Sequence, residues 1–325
     1  MIPTTIVGLL WSVQSVSITT KVVSSDPVYG GVYSIQLYVI MFVSYLRKAG
    51  DIHWVLKLGR IYKLKIKSQL DLFDKMVKPM LLYGCEVWGF GDNAIIERAH
   101  LKLYKLLLNS KTSTPSYMVH GELGRYPIEL DIKLRIISYW TKLIYHTYMT
   151  ENLPLKWIKF TENIFHECGF SYIWDGQNFP HENWLKAVIF KQRLMDQFIQ
   201  NWFSKIIDSP KAINYRIFKT KFEFEEYLNV LKYKNAVLLC RFRTCNTKLP
   251  IETGRWLNIP RHRVCILCIN RNIRDEYHYL FECQFFAQKR KERAPKYFIT
   301  RHNTLKCSEL MSTRSKPILK NYVNL

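Results

Sequence analysis

The sequence is poor in acidic residues. Asp and Glu together number 26 against 48 Lys and Arg, so the formal net charge is +22 and the isoelectric point is near 9.6. A folded chain this basic usually has a polyanionic partner, because its excess positive charge attracts phosphate groups. Nucleic acid is therefore the expected partner. An anionic membrane surface competes with it, and charge that serves only solubility is a third interpretation.

The motifs of several common enzyme classes are also missing. The chain has no glycine-rich phosphate loop, no Gly-x-Ser-x-Gly turn and no His-Glu-x-x-His, which removes the usual signatures of nucleotide hydrolysis, serine hydrolysis and zinc proteolysis. Glu122 and Glu129 fall in a stretch that reads as a loop, and no partner carboxylate suggests acid–base chemistry for them. Lone carboxylates of this kind are usually solvated or structural.

Long hydrophobic runs are scarce. The first basic residue is Lys21, so the N-terminus lacks the positive region of a secretory signal. The run from Val28 to Leu46 is borderline for a membrane span, which needs about 20 apolar residues, and it contains Gln36 and a Gly-Gly pair. We therefore expect residues 1–60 to be a divergent apolar leader. A membrane-attached protein held by residues 28–46 is the alternative.

Strand signals are sparse, and the pattern becomes helical after about Gly59. Apolar residues recur at helical spacing in LDLFDKM, AIIERAHLKLYKLLLN, IELDIKLRIISYWTKLIYHTYM, ENWLKAVIFKQRLMDQFIQNWFSKII and FEFEEYLNVLKYKNAVLLCRFRTCN. In the second of these, Ile96, Leu103, Leu106 and Leu107 share one face. Pro127 is a start signal for the third. The sequence therefore predicts a mainly α fold: a bundle-like helical connector over 61–250, a small zinc module over 251–300 and a basic tail over 301–325.

Three cysteines and a histidine cluster near the C-terminus as Cys265-x2-Cys268-x9-His278-x4-Cys283. The Cys-x-x-Cys spacing is typical of one half of a zinc site, and the histidine with the last cysteine supplies the other half. Asp275 is placed to cap a short helix that carries His278 and ends near Cys283. This pattern predicts one structural Zn²⁺. Four protein ligands leave no open position for water, which disfavours a catalytic metal.

The cluster also has an interpretation without a metal, and the remaining cysteines indicate a compartment. Free cysteine is among the most buried residue types, so the cluster can also be read as ordinary core residues. The other cysteines are scattered, and a chain of this length needs no disulfides. We expect reduced thiols and an intracellular location, nuclear or cytoplasmic.

Aromatic and basic side chains surround the cysteine cluster. Aromatic stripes usually reflect core packing, but aromatics interleaved with Arg or Lys on an exposed face can stack unpaired bases. Tyr277 and Tyr279 flank His278 and fit this description best, and a dense basic run follows Cys283. The candidate nucleic-acid contacts are Arg261, Arg263, Arg271, Arg274, Tyr277, Tyr279, Lys289, Arg290, Lys291 and Arg293.

Several segments resemble the C-terminal, post-polymerase region of LINE-type (non-LTR) retrotransposon reverse transcriptases. The segments are KLPIETGRWLNIPRHRVCILC, RDEYHYLFECQFF, LFDKMVKPMLLYGCEVWGF, IERAHLKLYKLLL, HGELGRYPIELDIKLRIISYW and NYRIFKTKFEFEEYL. The likeness runs from about Leu70 to about Leu310, and its most specific parts are Leu82 to Trp88 and the cysteine cluster. The first sixty residues do not resemble the family.

The resemblance implies a role in holding nucleic acid without catalysis. The family's polymerase uses a Tyr-x-Asp-Asp turn to hold metal ions, but this chain contains no Asp-Asp pair and no segment like the family's endonuclease. What carries over is the helical connector and the CCHC zinc knuckle, with Cys265, Cys268, His278 and Cys283 as ligands. The implied partners are RNA or DNA and the rest of a retrotransposon ribonucleoprotein. A polymerase subunit that needs a separate catalytic chain is an alternative, as is a decayed element with no selected role.

Overall fold

The computed structural model describes residues 59, 61–90, 93–147, 156–176, 183–247, 249, 251, 265, 267–268 and 275–323. Within these ranges every named element is a helix, and the β structure there is a single isolated bridge between Leu123 and Phe224. The mainly α prediction is confirmed. Residues 28–46 lie outside the described ranges, and within those ranges we find no helix with the length and apolar character needed to cross a membrane.

The described residues form sixteen α-helices. In chain order they are α1 (Ile66–Met76), α2 (Lys78–Leu81), α3 (Cys85–Trp88), α4 (Ala94–Leu107), α5 (Ser116–Leu123), α6 (Ile128–Thr147), α7 (Lys156–Glu167), α8 (Ser171–Asp175), α9 (Asn183–Asp208), α10 (Tyr215–Phe218), α11 (Tyr227–Val230), α12 (Tyr233–Arg243), α13 (Ala287–Arg293), α14 (Lys296–Ile299), α15 (Thr304–Ser312) and α16 (Lys316–Val323).

The amphipathic patterns are reproduced in the long helices. On α4, Ile96, Leu103 and Leu107 are buried and Leu106 is partly buried against the same core. Helix α6 begins directly after Pro127, as that start signal predicts. The burial of one apolar stripe against neighbouring helices is what stabilises elements of this kind.

The segment from Phe222 to Asn246 differs from its prediction as one helix. It contains the short α11 and the longer α12, which are separated by extended backbone at Leu231 and Lys232. Upstream of α11, the N–H of Glu225 donates to the Glu122 carbonyl at 3.0 Å, beside the Leu123–Phe224 bridge. Pairing with the end of α5 therefore replaces the helical hydrogen bonds that local propensity favours.

The main hydrophobic core extends from α1 to α16. It includes Leu280 and Phe281 beside the cysteine cluster, and Leu310 and Leu319 from the stretch expected to be a basic tail. That stretch forms α15 and α16, whose apolar sides pack on the connector helices. A smaller cluster joins α6, α7, α8 and α9 around Phe165.

A buried ionic network lies at the centre of the fold. Glu122 is in α5, not in a loop, and its side chain is fully buried. Its carboxylate accepts hydrogen bonds from Arg243 at 3.0–3.2 Å and from the Tyr227 hydroxyl at 2.5 Å. Arg243 also pairs with Glu225 at 3.0 Å and donates to the Met311 carbonyl at 2.5 Å. The network thereby ties α5, α11 and α12 to the C-terminal end of α15.

A second polar cluster joins α4, α5 and the start of α6. Glu97 Oε2 accepts from the backbone N–H of Ile128 at 2.9 Å and so caps α6. Its Oε1 lies 3.6 Å from His100 and 3.7 Å from His120. Because His120 Nδ1 faces the Arg125 carbonyl at 2.8 Å, this nitrogen must donate. Burial lowers the pKa of His120 to about 4, so the ring is neutral near pH 7.

Candidate metal centre

The structure brings together the four side chains that the cysteine–histidine spacing singled out. Cys265, Cys268, His278 and Cys283 place their ligand atoms within 4.8 Å of one another. The sulfurs of Cys265 and Cys283 are 3.9 Å apart, and the Cys268 sulfur is 3.5 Å from His278 Nε2. Three of the four residues are buried. Across the described ranges, this is the cluster of His, Cys and acidic side chains that can hold a metal ion.

Two of the four candidate ligands, His278 and Cys283, belong to one short helical turn. Asp275 Oδ1 accepts the backbone N–H of His278 at 2.8 Å, which confirms the predicted cap. The turn then widens into a π-helical segment, His278–Glu282, closed by the N–H of Cys283 donating to the His278 carbonyl at 2.8 Å. Single π turns are common at functional sites. Here the wide turn connects two ligands of the same site directly.

Glu282 supports the histidine from the side opposite the cysteines. Its Oε2 lies 3.2 Å from His278 Nδ1. A carboxylate accepts hydrogen bonds, so Nδ1 carries the proton and Nε2 keeps its lone pair toward Cys268. Metal-binding histidines commonly have a carboxylate behind them in this way, because it fixes the ring and raises its basicity.

The ligand-bearing turn is anchored to the helical connector. The side-chain amide of Asn214, which directly precedes α10, donates to Asp275 at 3.1 Å and to Glu276 at 2.9 Å. Glu276 is itself buried. Asp275 therefore caps the turn with one oxygen and holds it to the connector with the other, so the site's position depends on the surrounding fold.

The sulfur environments of Cys265 and Cys283 differ. Burial raises the pKa of Cys265, but hydrogen bonds, the largest of them from the Leu267 backbone, outweigh it and lower the pKa to about 7. Burial raises the pKa of Cys283 above its usual value. Backbone N–H groups directed at a sulfur favour the thiolate, which is the form that binds metal.

Two predicted nucleic-acid contacts have internal partners instead. Arg290 is buried, and its guanidinium donates to the Cys283 carbonyl at 2.6 Å and to the Tyr279 carbonyl at 3.3 Å. The prediction that Arg290 contacts phosphate is therefore corrected: this side chain holds α13 against the metal-binding turn. The Tyr277 hydroxyl is 3.2 Å from His302 Nδ1, and its ring packs on Phe281 at 5.1 Å.

The other candidates divide into three groups. Lys289, Lys291 and Arg293 are exposed on α13, the helix that Arg290 attaches to the site. Tyr279 is half-buried, with its ring 5.5 Å from that of Phe286. The remaining candidates lie outside the described residues: Arg261, Arg263, Arg271 and Arg274.

A cavity of about 320 Å³ lies beside the metal-binding turn. Tyr279, Leu280 and Phe286 line one side, and residues of α12, α15 and α16 line the others. Sequence reasoning missed this cavity, the roles of Asn214 and Arg290, and the Glu122–Arg243 pair. It also missed Glu282, although the position of this carboxylate four residues after His278 was a signal for their contact.

Comparisons with known proteins add no family and no relative. No protein-family model, no curated protein and no solved structure matches the chain. The resemblance to LINE-type reverse transcriptases therefore stays a prediction, and the functional argument depends on the chain's own residues.

Proposed function

We propose that the chain is a non-catalytic nucleic-acid-binding fragment of a retrotransposon reverse transcriptase, with one structural Zn²⁺ in a CCHC knuckle. Cys265, Cys268, His278 and Cys283 are the ligands, and single-stranded RNA or DNA is the partner. The observation that carries the proposal is the attachment of an exposed basic helix, α13, to the metal-binding turn by the buried Arg290.

The ligand distances support zinc as the metal. In a tetrahedral site with Zn–S near 2.3 Å and Zn–N near 2.0 Å, two sulfurs lie about 3.8 Å apart and a sulfur and a nitrogen about 3.5 Å apart. The Cys265–Cys283 separation is 3.9 Å and the Cys268–His278 separation is 3.5 Å. A set of three thiolates and one imidazole also favours Zn²⁺ over Mg²⁺ or Ca²⁺.

The zinc would supply folding free energy. The turn that carries His278 and Cys283 is short, and the other two ligands, Cys265 and Cys268, come from a separate segment. Among the described residues, few backbone hydrogen bonds connect the two segments. Metal binding joins such segments because an unfolded chain has no preformed site. With four protein ligands, the metal has no open position at which to activate water.

The positive charge supports an electrostatic mode of binding. Lys289, Lys291 and Arg293 are exposed on the helix that Arg290 attaches to the metal-binding turn, and the chain as a whole carries +22. Lysine and arginine bind nucleic acid by displacing condensed counterions from phosphate, which makes the affinity fall steeply with salt. Binding of this kind requires no catalytic group.

The test compares two triple substitutions that remove equal charge. In one variant, Lys289, Lys291 and Arg293 are replaced by Gln; in the control, the exposed Lys63, Lys65 and Lys67 before and within α1 are replaced by Gln. Fluorescence anisotropy with a labelled single-stranded oligonucleotide is measured from 50 to 300 mM salt (a range of about sixfold).

The α13 variant should bind more weakly, and its log–log salt slope should fall by about 2, since each lost phosphate contact contributes roughly 0.7. The control should keep the slope of the unmodified chain. Equal slopes for both variants would show that α13 is not the contact surface. If the unmodified chain did not bind even at the lowest salt, the proposed function itself would be contradicted.

A further inference from the structure

We propose that the cavity beside the metal-binding turn takes a single unpaired nucleobase. This inference rests on the proposed function and specifies its ligand: one base of a single strand enters the cavity while neighbouring phosphates stay at its rim. The volume of about 320 Å³ is at the lower end of the range for small-molecule sites and suits one flat ring system.

The walls of the cavity suit a flat, largely apolar ring. Tyr279 and Phe286 form an aromatic wall, with ring centroids 5.5 Å apart and planes inclined by 56°. Phe242 adds a third aromatic ring, and aliphatic side chains such as Leu239 and Leu310 complete the lining. Stacking on aromatic side chains is the main source of base affinity in sequence-tolerant binding.

Thr247 provides a polar group in this apolar setting. It lines the cavity, and its Oγ1 is buried with no hydrogen-bond partner among the described residues. The Oγ1 has almost no accessible surface, so a bound base reaches it only after a small shift of the cavity lining; the hydroxyl both donates and accepts, so it then meets either kind of group on a base edge. An unsatisfied buried hydroxyl is costly, and a ligand that completes its bond gains that energy.

Two lysines lie next to residues that line the cavity. The Lys111 ammonium is 3.5 Å from the Thr247 carbonyl. The Lys289 ammonium is 5.9 Å from the centre of the Phe286 ring. Both side chains are exposed. A nucleotide strand that inserts one base would carry a phosphate on each side of it, where these lysines can neutralise the charge.

A nucleobase fits these features better than other apolar groups. An aliphatic side chain of a partner protein would fill the cavity but leave the Thr247 hydroxyl without a partner. An acyl chain of a lipid would do the same. A base is the group that combines a flat stacking face, a hydrogen-bonding edge and flanking phosphates.

The experiment uses the full zinc-loaded chain and two labelled hexanucleotides of equal charge. One is a deoxythymidine hexamer, and the other has the same sugar–phosphate backbone with every base removed. We expect the base-containing strand to bind about tenfold more tightly at equal salt, the effect of one stacked base. Binding of both strands with equal affinity would overturn the nucleobase proposal yet leave the proposed function intact. Binding of neither would refute the proposed function.

Cavity substitutions locate the effect. Leu238 lines the cavity but is 53% exposed, so Leu238→Trp can fill the space without straining the core. The matched control is Leu305→Trp, at an exposed leucine that is absent from the cavity lining. Leu238→Trp should abolish the preference for the base-containing strand, and Leu305→Trp should retain it.

Thr247→Val tests the hydrogen bond separately, because valine has nearly the shape of threonine without the hydroxyl. The base preference should fall by about fivefold, the effect of one lost hydrogen bond.

A preference that survives Leu238→Trp unchanged would place the bound base elsewhere and overturn the inference. Thermal unfolding of each variant confirms that it is folded before binding is compared.

Discussion

Glu282 lies directly behind the histidine of the metal centre. Its Oε2 is 3.2 Å from Nδ1 of His278, while Nε2 of the same ring is 3.5 Å from the Cys268 sulfur. The π-helical turn makes this arrangement, because both residues belong to it. The carboxylate therefore fixes which nitrogen faces the three cysteines.

Removing this carboxylate should weaken metal binding. We expect Glu282→Ala to lower zinc affinity about 10- to 100-fold, because the ring loses its orientation and some of its basicity. Competition with a chromogenic chelator measures the affinity. Glu292→Ala, at an exposed carboxylate on α13, is the control and should bind zinc normally. Equal affinities for the two variants would mean that Glu282 has no role in the site.

Loss of one thiolate should have a larger effect. Cys268→Ser removes a ligand, so we expect the variant to lose zinc, to unfold locally around the 275–283 turn and to bind oligonucleotides more weakly. Hydrogen exchange at the turn and fluorescence anisotropy measure the two effects. Cys307→Ala, at a buried thiol outside the cluster, should retain zinc. Unchanged nucleic-acid affinity in Cys268→Ser would eliminate the knuckle from binding.

The buried Glu122–Arg243 pair should be essential for stability. Glu122→Gln leaves the Arg243 guanidinium in the core with weaker compensation, and breaking such a pair typically costs about 3–5 kcal/mol. Urea unfolding measures the free energy of unfolding. Glu129→Gln, at an exposed carboxylate of α6, should change it by less than about 1 kcal/mol. Similar losses in both variants would contradict the network's role.

Stability should also fall in mild acid because of His120. The folded-state pKa is about 4, below the unfolded value near 6.5, since burial disfavours the charged ring. The unfolded chain therefore binds more protons as the pH falls from about 6.5 to 4, and up to about 3 kcal/mol is lost over that window. Above it, His120 contributes no pH dependence.

His120→Asn is the comparison for this effect, because its amide can still donate to the Arg125 carbonyl but does not titrate. Thermal unfolding from pH 7.5 to 4.5 should show a shallower acid loss in the variant than in the unmodified chain. Parallel curves would show that other groups, including the metal ligands, account for the acid sensitivity.

Local patterns predicted the long helices and the four cysteine and histidine residues that the structure brings together. The stripe on α4, the proline before α6, the Asp275 cap and the ligand spacing all depend on residues close in sequence. The non-helical stretch before α11 could not be predicted in this way, because Phe224 pairs there with Leu123, about a hundred residues earlier.

The same distance explains the missed contacts of the site. Asn214 meets Asp275 and Arg243 meets Glu122 across long separations, and no period or spacing announces either pair. Arg290 was misread because a basic run usually marks a solvated face. One member of this run faces inward to two carbonyls, which only the packing of α13 determines.

The zinc content of the purified full chain tests the central claim most directly. Native mass spectrometry before and after acid stripping should find one zinc ion per chain, lost on stripping and regained on adding Zn²⁺ at neutral pH. Cys268→Ser should carry none. A folded chain without zinc that also fails to take it up would contradict the account, because the four clustered residues would then be core side chains.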